Sequence, residues 1–218
     1  MELSIDTASE MATIALSEDG ALVAETTWRC RRNHTVELLP SVERLLAQAG
    51  VEKGEITAVF ACVGPGMYTG LRVGVTVAKG LAHALSVPTV GVGRLELDAY
   101  PHAAFPGEIV AVHKAGRGDL AWASYRGDPW RETNEPQLAK PDALAARING
   151  PTLITGEVDD SLREMIGDQA TYASPAASVR RAGALAELGH ARLVAGNRTD
   201  AALLKPVYLR PPAIGPQG

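Results

Sequence analysis

Residues 56–63 read ITAVFACV, an apolar run interrupted only by Thr57. A strand with one wet face alternates apolar and polar residues, because successive side chains point to opposite faces. A nearly unbroken β-prone run instead fits a strand covered on both faces. GPGMYTG follows at once, over residues 64–70, and a helix-spaced segment then runs from about 69 to 85. Strand, tight turn and helix, with the strand needing cover on both sides, point to a layered α/β fold.

The flanking segments extend this pattern. Leu3 and Ile5 alternate with polar residues in a short first strand. Residues 12–16 and 22–28 flank Glu18-Asp19-Gly20, and Asp-Gly between β-prone runs predicts a hairpin. Over 34–50, Leu38, Leu39, Val42, Leu45, Leu46 and Ala49 recur at helical spacing as one apolar stripe, with Gly50 as the stop. Gly70, Gly74, Ala78 and Ala82 repeat every four residues in the next helix, leaving a groove suited to close packing. Arg72, Thr76, Lys79 and His83 share another line of the same helix.

Beyond Pro88, residues 89–92 read as a strand and 94–103 as a helix. Pro101 and Pro106 bracket the expected domain boundary. The grammar then restarts. Strands are expected at 109–113, 120–125 and 153–155, and helices at 141–149 and 178–195, with a helix start also at Asp159-Asp160. The reading is an N-terminal lobe over 1–105, a smaller C-terminal lobe over 106–210, and a fraying Pro/Gly-rich tail over 211–218. Each lobe should hold a mixed sheet, since a hairpin is antiparallel and the later strands need helical crossovers.

The net charge of −4 argues against strong RNA binding by the chain alone, which would call for a basic stripe. Arg29-Cys30-Arg31-Arg32 is the densest basic cluster and reads as a solvated loop. Two cysteines, Cys30 and Cys62, make no disulfide framework or zinc spacing. The N-terminus lacks the apolar core of a signal peptide, and no apolar stretch approaches a membrane span, so a cytoplasmic location is expected.

Catalytic motifs fail one by one. A Walker A sequence needs Gly-Lys-[Ser/Thr], but Leu71-Arg72 follow Gly70. Gly64 and Gly66 are followed by Thr69, not by the third glycine of a dinucleotide fingerprint. No serine lies in a G-x-S-x-G elbow. The five histidines have no His-x-x-x-His partner and read as surface or capping residues. Two features remain. Thr69 is placed to cap a helix whose free amides could receive an anion. Asp6 stands at a strand end, where a carboxylate could contact a ligand.

As a whole string, residues 64–85 resemble the TsaB (YeaZ-like) family, whose form is GPG-x-[FY]-TG-[LV]-R followed by a small-residue helix. IDTAS with ATIAL, HTVELLP and PVYLR agree in order and spacing. The resemblance implies two ribonuclease-H-like lobes of the actin-like and sugar-kinase ATPase fold. It further implies a non-catalytic scaffold subunit in the modification of tRNA to threonylcarbamoyladenosine, next to the anticodon. Such a subunit needs no cofactor or metal and meets tRNA only within a complex.

The implied partners are a TsaD-like catalytic subunit, a TsaE-like P-loop ATPase and, alternatively, a second copy of the chain. The contact would use the helices at 34–50 and 69–85, with Leu38, Leu39, Val42, Leu46, Val73, Val77 and Leu81 as anchors. Val42→Glu should then separate partners and leave the monomer folded. Asp6, Thr7, Gly64, Gly66 and Thr69 would be a degenerate nucleotide or anion site. Its Asp6-Thr7-Ala8 turn lacks the family fold's usual glycine, Gly156 stands alone where a pair is usual, and His113-Lys114 replace an Asp-Ala-Arg. The alternatives are an actin-like ATPase or small-molecule kinase working through Asp6, and a metal-dependent glycoprotease. The Ala8 and Gly156 positions argue against the first, and the missing paired histidines against the second.

Overall fold

A computed structural model describes residues 1–31 and 33–210, so the expected fraying of 211–218 lies outside the described residues. The chain forms two compact units. The first comprises Met1–Leu97 and Arg180–Pro206, and the second Asp98–Val179 together with residues 207–210.

The first unit holds a five-stranded sheet in the order β3-β2-β1-β4-β5. Its strands are β1 (Glu2–Asp6), β2 (Met11–Glu18), β3 (Ala21–Arg29), β4 (Ala58–Gly64) and β5 (Thr89–Gly93). β1 pairs antiparallel with β2 and parallel with β4, so the sheet is mixed. The helices are α1 (His34–Ala49), α2 (Tyr68–Leu85), the short α3 (Arg94–Ala99) that leads into the second unit, and, later in the chain, α6 (Ala182–Val194).

The apolar run in β4 is covered on both faces, as its composition requires. Ser4 of β1 pairs with Phe60 of β4, and Ile5 with Ala61, so Phe60 and Ile5 point to opposite faces. Phe60 lies against Gly189 of α6, where an added Cβ would sit 2.5 Å from the ring. Ile5 lies against Gly74 of α2. α1 and α2 thus share one face of the sheet and α6 takes the other. The small-residue groove of α2 is filled by the end of β1, so it serves internal packing: Cβ atoms at Gly70 and Gly74 would lie 2.4 Å from the Thr7 carbonyl oxygen and 2.1 Å from Thr7 Oγ1.

The second unit repeats the topology in the order β10-β9-β6-β7-β8. Its strands are β6 (Glu108–Lys114), β7 (Leu120–Arg126), β8 (Arg131–Ala139), β9 (Thr152–Gly156) and β10 (Thr171–Tyr172). α4 (Pro141–Ala145) and α5 (Asp160–Ile166) contribute Leu144, Leu162 and Ile166 to a core with Val110, Val112, Trp122 and Ile154. The Arg210 guanidinium of the PVYLR segment donates to the Ala115 and Gly116 carbonyls and pairs with Asp119, fastening the β6–β7 turn.

Several expectations need correction. The division falls at Leu97/Asp98, not after 105, and α6 returns to the first unit because the α6-side face of its sheet would otherwise be bare. The 94–103 helix is α-helical only to Ala99, and a 3-10 turn over Tyr100–His102 follows where Pro101 has no amide hydrogen. The expected 141–149 helix ends at Ala145, and α6 begins at Ala182, four residues later than 178. β8 escaped notice because RETNEPQLA has no apolar alternation; it is a largely exposed edge strand carrying Pro136. β10 spans only two residues, too few for a periodic signal.

Candidate functional site

Asp6 ends β1 and is 1% exposed. Its Oδ1 accepts the Ala8 amide at 2.8 Å, which forms the turn, and its Oδ2 accepts Arg180 Nε at 2.7 Å. Arg180 Nη2 also donates to Ser9 Oγ at 2.9 Å. Burial by itself would raise the Asp6 carboxyl, but the Arg180 charge and hydrogen bond, the Ala8 amide and the Arg94 charge outweigh it and hold the carboxyl below its ordinary range. Asp6 is therefore an ionised group whose counter-ion belongs to the same chain. Its carboxylate has no open position facing solvent for an incoming ligand.

The adjoining loop is closed by similar contacts. Thr7 Oγ1 donates to the Gly70 carbonyl at 2.7 Å, and the Met67 amide donates to the Ala8 carbonyl at 2.8 Å. A Cβ on Gly66 would lie 2.3 Å from that same carbonyl oxygen. Gly64 takes φ +103°, which L side chains rarely adopt. Asp6, Thr7 and Gly66 meet as packing around this turn, and Gly64 ends β4 beside Gly93. Thr69 does not join them. Met67 is the N-cap of α2 without a side-chain cap, and Thr69 lies exposed in the first turn. The helix starts one residue early because the Met67 carbonyl already accepts the Leu71 amide.

His34 is not a surface or capping residue. It opens α1, is 1% exposed, and its Nε2 donates to the Ser9 carbonyl at 3.0 Å. His113 and Lys114 are both engaged within the second unit: His113 Nδ1 is hydrogen-bonded to Glu157 Oε2 at 2.9 Å, and Lys114 Nζ forms an ion pair with Asp159 Oδ2 at 2.8 Å. Asp159 also caps α5 by accepting the Leu162 amide. Cys62 is buried, and burial pushes its thiol well above its ordinary range, which suits inert packing. Among the described residues, no three His, Cys, Asp or Glu side chains gather as a metal site would require.

The proposed anchor residues separate into two groups. Leu38, Val42 and Leu46 are buried in the chain's own core, at 1%, 3% and 4% exposure, and a partner cannot reach them. The α1 stripe marks the side facing the sheet. Leu39 is 46% exposed and Val36, which periodicity passed over, 74%. On α2, Val73, Val77 and Leu81 are half-buried and Tyr68 is exposed. α1 and α2 pack side by side. Among the described residues, Val36, Leu39 and Tyr68 give the pair exposed apolar side chains.

Two mixed α/β lobes of identical strand order define the two-lobed, actin-like ATPase type of fold. Component A of (R)-2-hydroxyglutaryl-CoA dehydratase from Acidaminococcus fermentans shares it, with a TM-score of 0.54 at 14% identity over 88% of this chain and 98% of that one. YeaZ from Pseudomonas aeruginosa superposes with a TM-score of 0.84 at 25% identity, covering 95% of this chain and 99% of that one.

Residues 28–154 match the family model described as TsaD, tRNA N6-adenosine threonylcarbamoyltransferase. The chain is 33% identical over 151 residues to the tRNA threonylcarbamoyladenosine biosynthesis protein TsaB of Escherichia coli, a match covering 67% of this chain and 65% of that protein. It is 35% identical over 124 residues to the TsaB of Bacillus subtilis, covering 57% of this chain and 54% of that one. The matched region thus spans just under two thirds and just over half of these relatives. The chain belongs to the TsaB (YeaZ-like) family of tRNA threonylcarbamoyladenosine biosynthesis proteins.

Proposed function

We propose that this chain is a non-catalytic scaffold that binds and activates a TsaD-like threonylcarbamoyltransferase. The observation that carries the reading is the Asp6–Arg180 pair. In the kinase alternative Asp6 would orient a metal–nucleotide complex, yet its oxygens are already occupied and it is 1% exposed. The glycoprotease alternative has no metal-ligand set to support it among the described residues. What the first lobe does offer is the open α1/α2 face with Val36, Leu39 and Tyr68 exposed. A helix pair with exposed apolar side chains suits docking against a similar pair on another subunit. On this reading the N-terminal lobe is the docking lobe, tRNA is met only through the complex, and a TsaE-like ATPase joins the assembled pair. A second copy of this chain would be the occupant when the catalytic partner is absent.

The test is co-purification with the TsaD-like protein of the same organism, followed by assay of threonylcarbamoyl transfer with each subunit omitted. Activation of the partner by a chain inert on its own is the expected result. Turnover of ATP or a small substrate by this chain alone would overturn the reading.

A further inference from the structure

Arg126, Arg131 and Arg147 stand apart in the sequence, and none belongs to a basic run. The fold of the second unit brings them to one face. Trp122, Ser124 and Arg126 alternate along β7, so all three point to the same side of the sheet. Trp122 fixes which side that is, since it packs in the core with Leu144 of α4 and Leu162 of α5. Arg131 pairs directly with Arg126 across the β7–β8 hairpin and shares its side. Arg147, just past α4, stands 5.1 Å over the Trp122 ring and donates to Asn134 Oδ1 at 3.3 Å. Asn134 Nδ2 in turn donates to Ser124 Oγ at 2.7 Å, and Arg126 lies about 7 Å further along the strand.

All three arginines are exposed. Their partners are neutral. Arg147 has the Asn134 amide and the Trp122 ring, and Arg131 Nη1 donates to the Pro129 carbonyl at 3.3 Å. Arg126 makes no hydrogen bond or ion pair among the described residues. Folding does not ask for this arrangement, because like charges directly opposite one another weaken a strand pair. An anion set between Arg126 and Arg131 would turn that repulsion into attraction. Nearby carboxylates do not cancel the charge. Glu132 pairs with Tyr125 and so points to the other side. Glu108 of β6, on the arginine side, accepts Thr133 Oγ1 at 3.0 Å, and the exposed Asp128 lies in the hairpin loop. The face keeps a positive excess.

We propose that this face of the β7–β8 hairpin, with Arg126, Arg131 and Arg147, is a contact site for the phosphate backbone of tRNA. Guanidinium groups present paired donors that match phosphate oxygens. Thr133 and Asn134 beside them are neutral groups of the kind that phosphate contacts also use. Three such cations on a chain of net charge −4 supply only part of an RNA interface, so the contact adds to those of the catalytic partner. The inference rests on the reading that the chain works in a tRNA-modifying complex, which is what makes tRNA the polyanion at hand.

The probe is unmodified tRNA, and the binder is this chain assembled with its TsaD-like partner. Fluorescence anisotropy over a salt series compares the wild type with the Arg126→Gln/Arg131→Gln variant, and sizing chromatography follows assembly. Circular dichroism checks the fold, and Arg126→Gln alone replaces the double variant if that variant does not fold. The double variant should bind about tenfold more weakly at low salt. The slope of log affinity against log salt should shrink by about one for each arginine removed. Unchanged affinity and slope overturn the proposal. So does an equal loss in Arg29→Gln/Lys53→Gln, which removes the same charge from the first lobe, since net charge alone would then account for it. A variant that no longer assembles with the partner also overturns it, by assigning the arginines to a protein contact. A wild-type assembly that fails to bind tRNA removes the tRNA reading itself.

Discussion

Arg180 Nε lies 2.7 Å from Asp6 Oδ2, joining residues 174 positions apart at the end of the first strand. Both side chains are almost wholly buried, at 7% and 1% exposure. Removing one partner from such a pair leaves a charge in a poorly solvated site. Asp6→Asn and Arg180→Met should each destabilise the first lobe by about 3–5 kcal/mol, whereas the double variant should recover part of that loss. Urea unfolding of the three variants measures it. Additive losses would mean that the two charges are not coupled.

The same pair sets a pH dependence. The folded Asp6 carboxyl is held below its ordinary range by Arg180, against the opposing effect of burial. Its contribution is therefore fully present above the unfolded carboxyl's pKa and declines as pH falls from there through the lower, folded value. Acid unfolding of the wild type should show this loss, and the double variant should lack that component. Equal acid profiles for the two proteins would show that the pair adds nothing to acid sensitivity.

Gly74 and Gly80 lie on one helix and should respond oppositely to alanine. A Cβ on Gly74 meets Thr7 Oγ1 at 2.1 Å, while one on Gly80 has nothing within 4 Å. Gly74→Ala should cost about 1–3 kcal/mol through overpacking. Gly80→Ala should gain roughly 0.5–1 kcal/mol from helix propensity. Thermal unfolding of the monomer at low concentration distinguishes them, and a neutral Gly74→Ala would contradict the packing of α2 on β1.

Val42→Glu and Leu39→Glu divide folding from docking. Val42 is 3% exposed, so a carboxylate there is buried without a partner and should unfold the lobe. Leu39 is 46% exposed, so Leu39→Glu should keep the wild-type circular dichroism spectrum and melting behaviour while failing to capture the TsaD-like partner. Capture at wild-type strength would show that the outward side of α1 is not in the contact.

Much of the fold was legible because it rests on local patterns. Asp19-Gly20 between β-prone runs gave the β2–β3 hairpin, the apolar run gave β4, and Gly50, at φ +67°, stops α1 as expected. Periodicity also identified the α1 stripe, but a stripe reports burial without saying what buries it. Leu38, Val42 and Leu46 accordingly mark the sheet-facing side, whereas Leu39 of the same stripe, and Val36 outside it, are exposed. The candidate site was legible at Asp6 and illegible at Arg180. An arginine beside Arg181 at the head of an Ala/Leu-rich helix carries no local sign of a carboxylate far back in the chain. β8 stayed hidden because a mostly exposed edge strand has no apolar face to advertise.

The return of α6 to the first unit imposes an order on the birth of the molecule. The N-terminal lobe is complete only with residues 180–206. Until then the Phe60 face of the sheet is bare and the Asp6 carboxylate lacks its counter-ion. At about 5–20 residues per second, the 174 positions between Asp6 and Arg180 take on the order of ten to thirty seconds to synthesise. Most of the second lobe, residues 98–179, is therefore synthesised while the first still waits for its lid.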